Sequence, residues 1–109
     1  MGQGGVAQAN AQAVALYRLA AAQNLDEAQK ILGYMYYNSH GVAQEDAEAL
    51  RLYQLAAAQG LPTALFMVAV CHEHGRGVRT NKDEAIRWYR RAQAAGHPDA
   101  ADALQRLRA

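Results

Sequence analysis

The sequence predicts an all-α fold, an α–α superhelix: a right-handed solenoid of antiparallel helix pairs with about six helices. Three observations carry this. Leu16-Tyr17, Leu52-Tyr53 and Trp88-Tyr89 recur 36 residues apart, as do Gly5-Val6, Gly41-Val42 and Gly77-Val78. Small residues recur in the same register, at Ala13/Ala49/Ala85, Ala20/Ala56/Ala92, Ala22/Ala58/Ala94, Asn24/Gly60/Gly96 and Ala28/Ala64/Ala100. β-Branched residues never alternate with polar ones over a useful length, so strand signals are absent. A fixed period of this size marks stacked copies of one supersecondary unit, each too small to bury its apolar face alone.

Two kinds of helix alternate. The first kind is expected over 8–23, 44–59 and 81–95. In the middle copy Ala49, Leu52, Tyr53, Ala56 and Ala57 form one apolar face at helical spacing. The copies end at Asn24, Gly60 and Gly96, residue types that readily adopt the left-handed conformation closing a helix. Asn81 suits the cap of the last copy, whereas Glu45 and Ala9 are poorer caps. The second kind is expected over 26–38, 62–74 and 98–108. Pro62 and Pro98 suit a first helical turn, where a missing N–H costs nothing. Asp26, Glu27 and Asp99 place negative charge at the positive end of the helix dipole. Between the kinds, Asn38-Ser39-His40-Gly41-Val42 and His74-Gly75-Arg76-Gly77-Val78 occupy equivalent loops. Their glycines allow a tight turn, and the valine that follows fits the gap between helices. Gly33 and Ala69, facing Ala20, Ala56 and Ala92, let the helix axes approach closely.

The organisation is one repeat array: a helix remnant of unit one over 5–24, unit two over 25–60, unit three over 61–96 and a terminal half unit over 97–109. Framed this way, the chain reads as a piece of a longer array or as a minimal array closed by atypical end helices. The first helix, with Gln8, Asn10, Gln12 and Arg18, has the polarity of a cap, while Leu104 and Leu107 at the other end call for a further partner.

These residues resemble the Sel-1-like repeat family, helical repeats related to the tetratricopeptide repeats. Ala28, Leu32, Gly33, Tyr36, Gly41 and Val42 match the first half of that motif, and Ala49, Tyr53, Ala56, Ala57 and Gly60 the second. Ala64, Gly75, Gly77, Val78, Ala85, Trp88, Tyr89, Ala92 and Gly96 match the next unit. The match runs from about Gly5 to Leu107, with departures at Ser39, Val68-Ala69 and His72, and with Glu45 and Asn81 where the family has aspartate. The resemblance implies a bacterial protein-interaction scaffold or adaptor rather than an enzyme.

Composition agrees. A net charge of +1 gives no global drive toward nucleic acid or an anionic membrane. No apolar run reaches about 18 residues, so no membrane-spanning helix is expected. Residues 1–24 lack the basic leading region of a signal peptide. The single cysteine, Cys71, has no internal disulfide partner, which leaves bacterial periplasm and cytoplasm both open.

Catalytic and cofactor chemistry find little material. Cys71-His72-Glu73-His74, with His40 in the equivalent preceding loop, offers metal-ligand types, but zinc sites draw paired ligands from two segments. His72 stands at a core tyrosine position of the family, so packing with one hydrogen-bonded nitrogen is its expected role. Cys71 aligns with Met35 and is expected to be a small buried hydrophobe. Ser39 and His40 are adjacent, which denies them the converging geometry of a nucleophile and its base. Gly75-Arg76-Gly77 is a helix–helix turn and not a phosphate cradle. Arg76, Arg79, Lys82, Arg87, Arg90 and Arg91 cluster, but Asp83 and Glu84 dilute them, and Trp88 and Tyr89 match buried family positions. A solvated convex face is expected there rather than nucleic-acid binding. No catalytic residue, metal ligand or cofactor is assigned.

The second-kind helices offer the candidate binding surface. Ala28, Ile31, Leu32, Met35 and Tyr36 make the inward face of the first of them. Lys30, Tyr34 and Tyr37 lie on another face, with Phe66, Val70, Glu73, Asp102 and Arg106 at equivalent positions. In related repeat proteins this helix lines the concave groove, so the resemblance implies that these eight residues meet a protein or peptide segment. The alternatives are packing against the adjacent repeat, a self-assembling fragment joined through its ends, or part of a larger cell-envelope or signalling protein. A β-lactam-binding enzyme relative is a further alternative, but those relatives carry paired cysteines in each repeat and this chain has only Cys71.

Overall fold

A computed structural model describes residues 22–23, 25–37 and 43–108, and shows five helices with no strand among them. They are α1 (Asp26–Tyr37), α2 (Ala43–Ala57), α3 (Pro62–His74), α4 (Lys82–Ala94) and α5 (Ala100–Arg108). Of the helix expected over 8–23, residues 8–21 lie outside the described residues and 22–23 form a turn; Asn24 and the loop carrying Ser39, His40, Gly41 and Val42 also lie outside them.

Each helix packs on the helices before and after it, as stacking of one unit on the next requires. The body is correspondingly long, 47 × 26 × 21 Å. Side-chain contacts fix the antiparallel sense within a pair. Gln29 near the start of α1 accepts from Gln59 Nε2 beyond the end of α2 at 2.9 Å. A Cβ on Gly33, mid-α1, would lie 3.2 Å from the Tyr53 ring and 3.3 Å from the Ala49 carbonyl. Small residues do the expected work: Ala49, Ala56, Ala64, Ala69, Ala85, Ala92 and Ala100 are all fully buried. Around them Leu50, Tyr53, Leu65, Val68 and Cys71 form one cluster, and Tyr89, Ala103 and Leu104 another.

The helix ends follow local chemistry. Pro62 opens α3 after Leu61. Asn81 caps α4, its side-chain oxygen accepting from the Glu84 N–H at 3.1 Å. Gly60, Gly75 and Gly96 take the left-handed conformation. The Gly75 N–H returns to the Cys71 carbonyl and closes α3. Gly77 is also left-handed, and a Cβ there would fall 2.5 Å from the Asp46 carbonyl oxygen. The α3–α4 loop therefore lies directly on the first turn of α2, with Val78 packed against the first core cluster.

Four expectations are corrected. Helix α2 begins at Ala43, so Glu45 lies inside its first turn and is no cap. Helix α5 begins at Ala100, which puts Pro98 outside it. The Asp99 N–H is taken by His97 Nδ1 at 3.1 Å, and the Asp99 carbonyl receives the N–H of Ala103, so Asp99 is the flanking residue. On α1, Ile31 is only half-buried while Gln29 is buried, because the Gln59 amide satisfies it. Leu104 is already buried under the described helices and has no need of a further partner; Leu107 is half-buried.

Candidate binding face of the repeat array

Helices α1, α3 and α5 carry the eight candidate residues at matching register: Lys30, Phe66 and Asp102; Tyr34, Val70 and Arg106; Tyr37 and Glu73. Their environments differ in a way the period does not foretell. Tyr34 is 60% exposed. Asp102 and Arg106 are exposed, while Lys30, Tyr37, Phe66 and Val70 are half-buried. Lys30 is held on its own helix by Glu27 at 3.0 Å. Phe66 packs edge-on to Tyr89, with centroids 5.2 Å apart, and stacks flat on His97 at 4.2 Å. It is therefore part scaffold, as is Val70, which packs against the cluster around Tyr89.

Of these residues the structure joins Glu73 to Arg106, across α3 and α5. Arg106 Nη1 donates to Glu73 Oε2, and Nη2 donates to Oε1 at 3.2 Å. Oε1 also accepts the Tyr89 hydroxyl at 2.6 Å. The Glu73 side chain is only 10% exposed. The Arg106 guanidinium, opposed by partial burial and helped by Tyr89, holds its carboxyl below the usual carboxylate range. The Glu73 carboxylate thus ties α3 to both α4 and α5.

Tyr37 is likewise engaged from the next unit. The Arg76 guanidinium sits 4.0 Å from its ring centroid, donates to its backbone carbonyl at 2.6 Å and pairs with Asp46 at 2.8 Å. Arg76 thus leaves the solvated basic cluster in which its sequence neighbours placed it. Burial, only partly offset by Arg76, pushes the Tyr37 hydroxyl above its ordinary value. Trp88 is half-buried rather than buried, with Arg91 lying 4.4 Å over its ring.

Among the described residues no group of three or more His, Cys, Asp or Glu side chains is placed to hold a metal ion. Cys71 is buried, and burial pushes its thiol up to about 12. His72 is half-buried, and its buried Nδ1 has no hydrogen-bond partner. No described helix is long and apolar enough to cross a membrane.

Stacked antiparallel helix pairs with small residues at the crossings define a helical-repeat solenoid. The Sel1 repeat model matches residues 1–25, 26–61 and 62–97, and the chain belongs to the Sel1 repeat family. It is similar to the crystal structure of a Sel1 repeat protein from Oxalobacter formigenes, at 36% identity and a TM-score of 0.74, covering 82% of this chain and 67% of that one. It is also similar to a protective antigen present in uropathogenic Escherichia coli strains that displays an SLR fold. There identity is 37% and the TM-score 0.71 over 77% of this chain, which spans 18% of that one. No curated protein matches the sequence. Sel1 repeats commonly mediate protein–protein interaction, and the scaffold is generally non-catalytic.

Proposed function

We propose that the chain is a non-catalytic adaptor that presents the α1–α3–α5 side, as the concave groove of its array, to a protein or peptide segment. The observation that carries this is Tyr34, a large aromatic left 60% exposed at the α1 end of the row. Its equivalents along the row are Val70 and Arg106, so one line of the array offers aromatic, aliphatic and guanidinium contacts in succession. Such anchors, surrounded by polar groups, dominate recognition of protein segments. Two of the charges there are already paired, Lys30 with Glu27 and Arg106 with Glu73, so less side-chain entropy is lost at those positions on contact.

The test is affinity capture from the native source with the chain as bait, mass-spectrometric identification, and titration of the retained protein. Tyr34→Ala should weaken that binding about tenfold or more without loss of helicity, as removal of an exposed aromatic anchor does. Undiminished binding by a Tyr34→Ala, Arg106→Ala double variant would overturn the assignment to this side.

A further inference from the structure

We infer that the outward face of α4 is a second interaction surface, which takes an acidic segment of a partner polypeptide. The repeat supplies its own control. Residues 36 apart occupy the same place in the fold, so α2 shows what the scaffold requires of α4. The outward row of α2 is Ala47, Arg51, Gln54 and Leu55; that of α4 is Asp83, Arg87, Arg90 and Arg91. One feature is common to both: an i, i+3 ion pair, Glu48 with Arg51 and Glu84 with Arg87. The other cations are not common. Arg90 and Arg91 stand where unit two has Gln54 and Leu55, and Lys82 where it has Asp46.

A stabilising role at the negative end of the helix dipole is the simplest account of C-terminal arginines. Helix α2 argues against its being needed, since it has no basic residue in its last turn and runs two residues longer than α4. The arginines are therefore a property of unit three and not of the fold. The imbalance is regional: residues 25–75 hold six acids and two cations, residues 76–91 six cations and two acids.

The geometry favours carboxylates as ligands. Arg87, Arg90 and Arg91 lie within one turn on the solvent side of α4, and all three are exposed. Glu84 steadies Arg87 at 3.1 Å, and the Trp88 ring steadies Arg91 at 4.4 Å. A guanidinium stacked on an aromatic face keeps its in-plane N–H donors free for a carboxylate. A nucleic-acid strand fits less well: Arg91 covers the Trp88 ring, which leaves no aromatic face for base stacking, and Asp83 interrupts the row.

The experiment uses the full chain and a fluorescein-labelled deca-glutamate peptide, followed by anisotropy at low and physiological salt. Trp88, the single tryptophan, reports contact from the protein side. In the variant Arg90→Gln/Arg91→Leu, unit three receives the residues unit two already carries. It should stay fully helical and lose about tenfold or more in peptide affinity, with a weaker salt dependence. The reciprocal Gln54→Arg/Leu55→Arg variant should gain a second equivalent of bound peptide. Equal binding by the Arg90→Gln/Arg91→Leu variant and the parent chain would overturn the inference, as would no binding at low salt. Tighter binding of a single-stranded oligodeoxynucleotide of the same charge would overturn it in favour of nucleic acid.

Discussion

The Arg76 guanidinium rests 4.0 Å above the ring of Tyr37 and donates a 2.6 Å hydrogen bond to the carbonyl of that same residue. Tyr37 is the last residue of α1, and Arg76 belongs to the loop after α3. One side chain thus satisfies an orphan carbonyl at a helix end, covers an aromatic ring and neutralises Asp46 in the first turn of α2. It is a clamp between consecutive units. Replacing Arg76 with Met keeps most of the apolar stem but strands a largely buried carboxylate. The expected cost is about 1.5–3 kcal/mol, in the range for a lost hydrogen bond to a charged group. Urea unfolding followed by circular dichroism measures it; a loss no larger than that of Arg79→Met, which removes an exposed cation, would show that the clamp is not needed.

The loop that carries Arg76 can approach so closely only because Gly77 follows it. Gly77 has φ near +77°, and a Cβ would lie 2.5 Å from the Asp46 carbonyl oxygen. Gly60 has a similar φ of +83° with open space around it. Gly60→Ala should therefore cost about 1–2 kcal/mol, the left-handed penalty alone. Gly77→Ala adds a backbone collision and should cost distinctly more. Thermal melts of the two variants make the comparison, and equal losses would mean that the loop shifts freely off α2.

Glu73 gives the array a dependence on acidity. Its folded pKa is lowered, first by Arg106 and then by the Tyr89 hydroxyl, so the folded state binds its proton less readily than the unfolded chain. The stabilisation is fully present above the unfolded carboxylate value of about 4.3 and is lost as pH falls through the folded value. The stability difference between the parent chain and Glu73→Gln should hold steady from neutrality to about pH 5 and shrink below about pH 4. Denaturation midpoints across that range test it; a difference that is flat into acid would remove Glu73 from the account.

The sequence was most informative where a residue's role depends on its own helix. Asn81 as a cap, Pro62 as a helix start, Gly60 and Gly96 as left-handed ends and the alanines at the crossings all appear where periodicity and local chemistry put them. It was least informative for long polar side chains. A 36-residue period orders the faces of a helix but does not say which guanidinium reaches across 30 residues to Asp46 or 33 residues to Glu73. Arg76 is consequently read from sequence as part of a solvated face, and Glu73 as part of the binding surface. Gln29 had a legible signal, since it occupies the place of buried Leu65, but its partner Gln59 lies beyond the repeat's apolar positions.

Cys71 should behave as an interior group. It is fully buried and its thiol is raised to about 12 by burial. A thiol-specific reagent at pH 8 should leave the folded chain unmodified and react only in denaturant, because reaction requires the exposed thiolate. Rapid labelling without denaturant would mean that α3 opens locally.

The two equivalent tyrosines provide the sharpest comparison the repeat allows. Tyr53 is fully buried and its hydroxyl has no hydrogen-bond partner, whereas the Tyr89 hydroxyl donates to Glu73 at 2.6 Å. The difference traces to one position: Glu73 in unit three is Tyr37 in unit two, whose ring meets Tyr53 edge-on at 6.5 Å and offers no carboxylate. A buried hydroxyl without a partner carries its full desolvation penalty, so Tyr53→Phe should be neutral or stabilise by up to about 1 kcal/mol. Tyr89→Phe removes a donor to a carboxylate and should destabilise by about 1.5–3 kcal/mol. The same chemical change is thus expected to have opposite signs in two copies of one unit. Equilibrium unfolding of both variants decides it, and a shared sign would show that the Tyr37-for-Glu73 exchange does not set the balance.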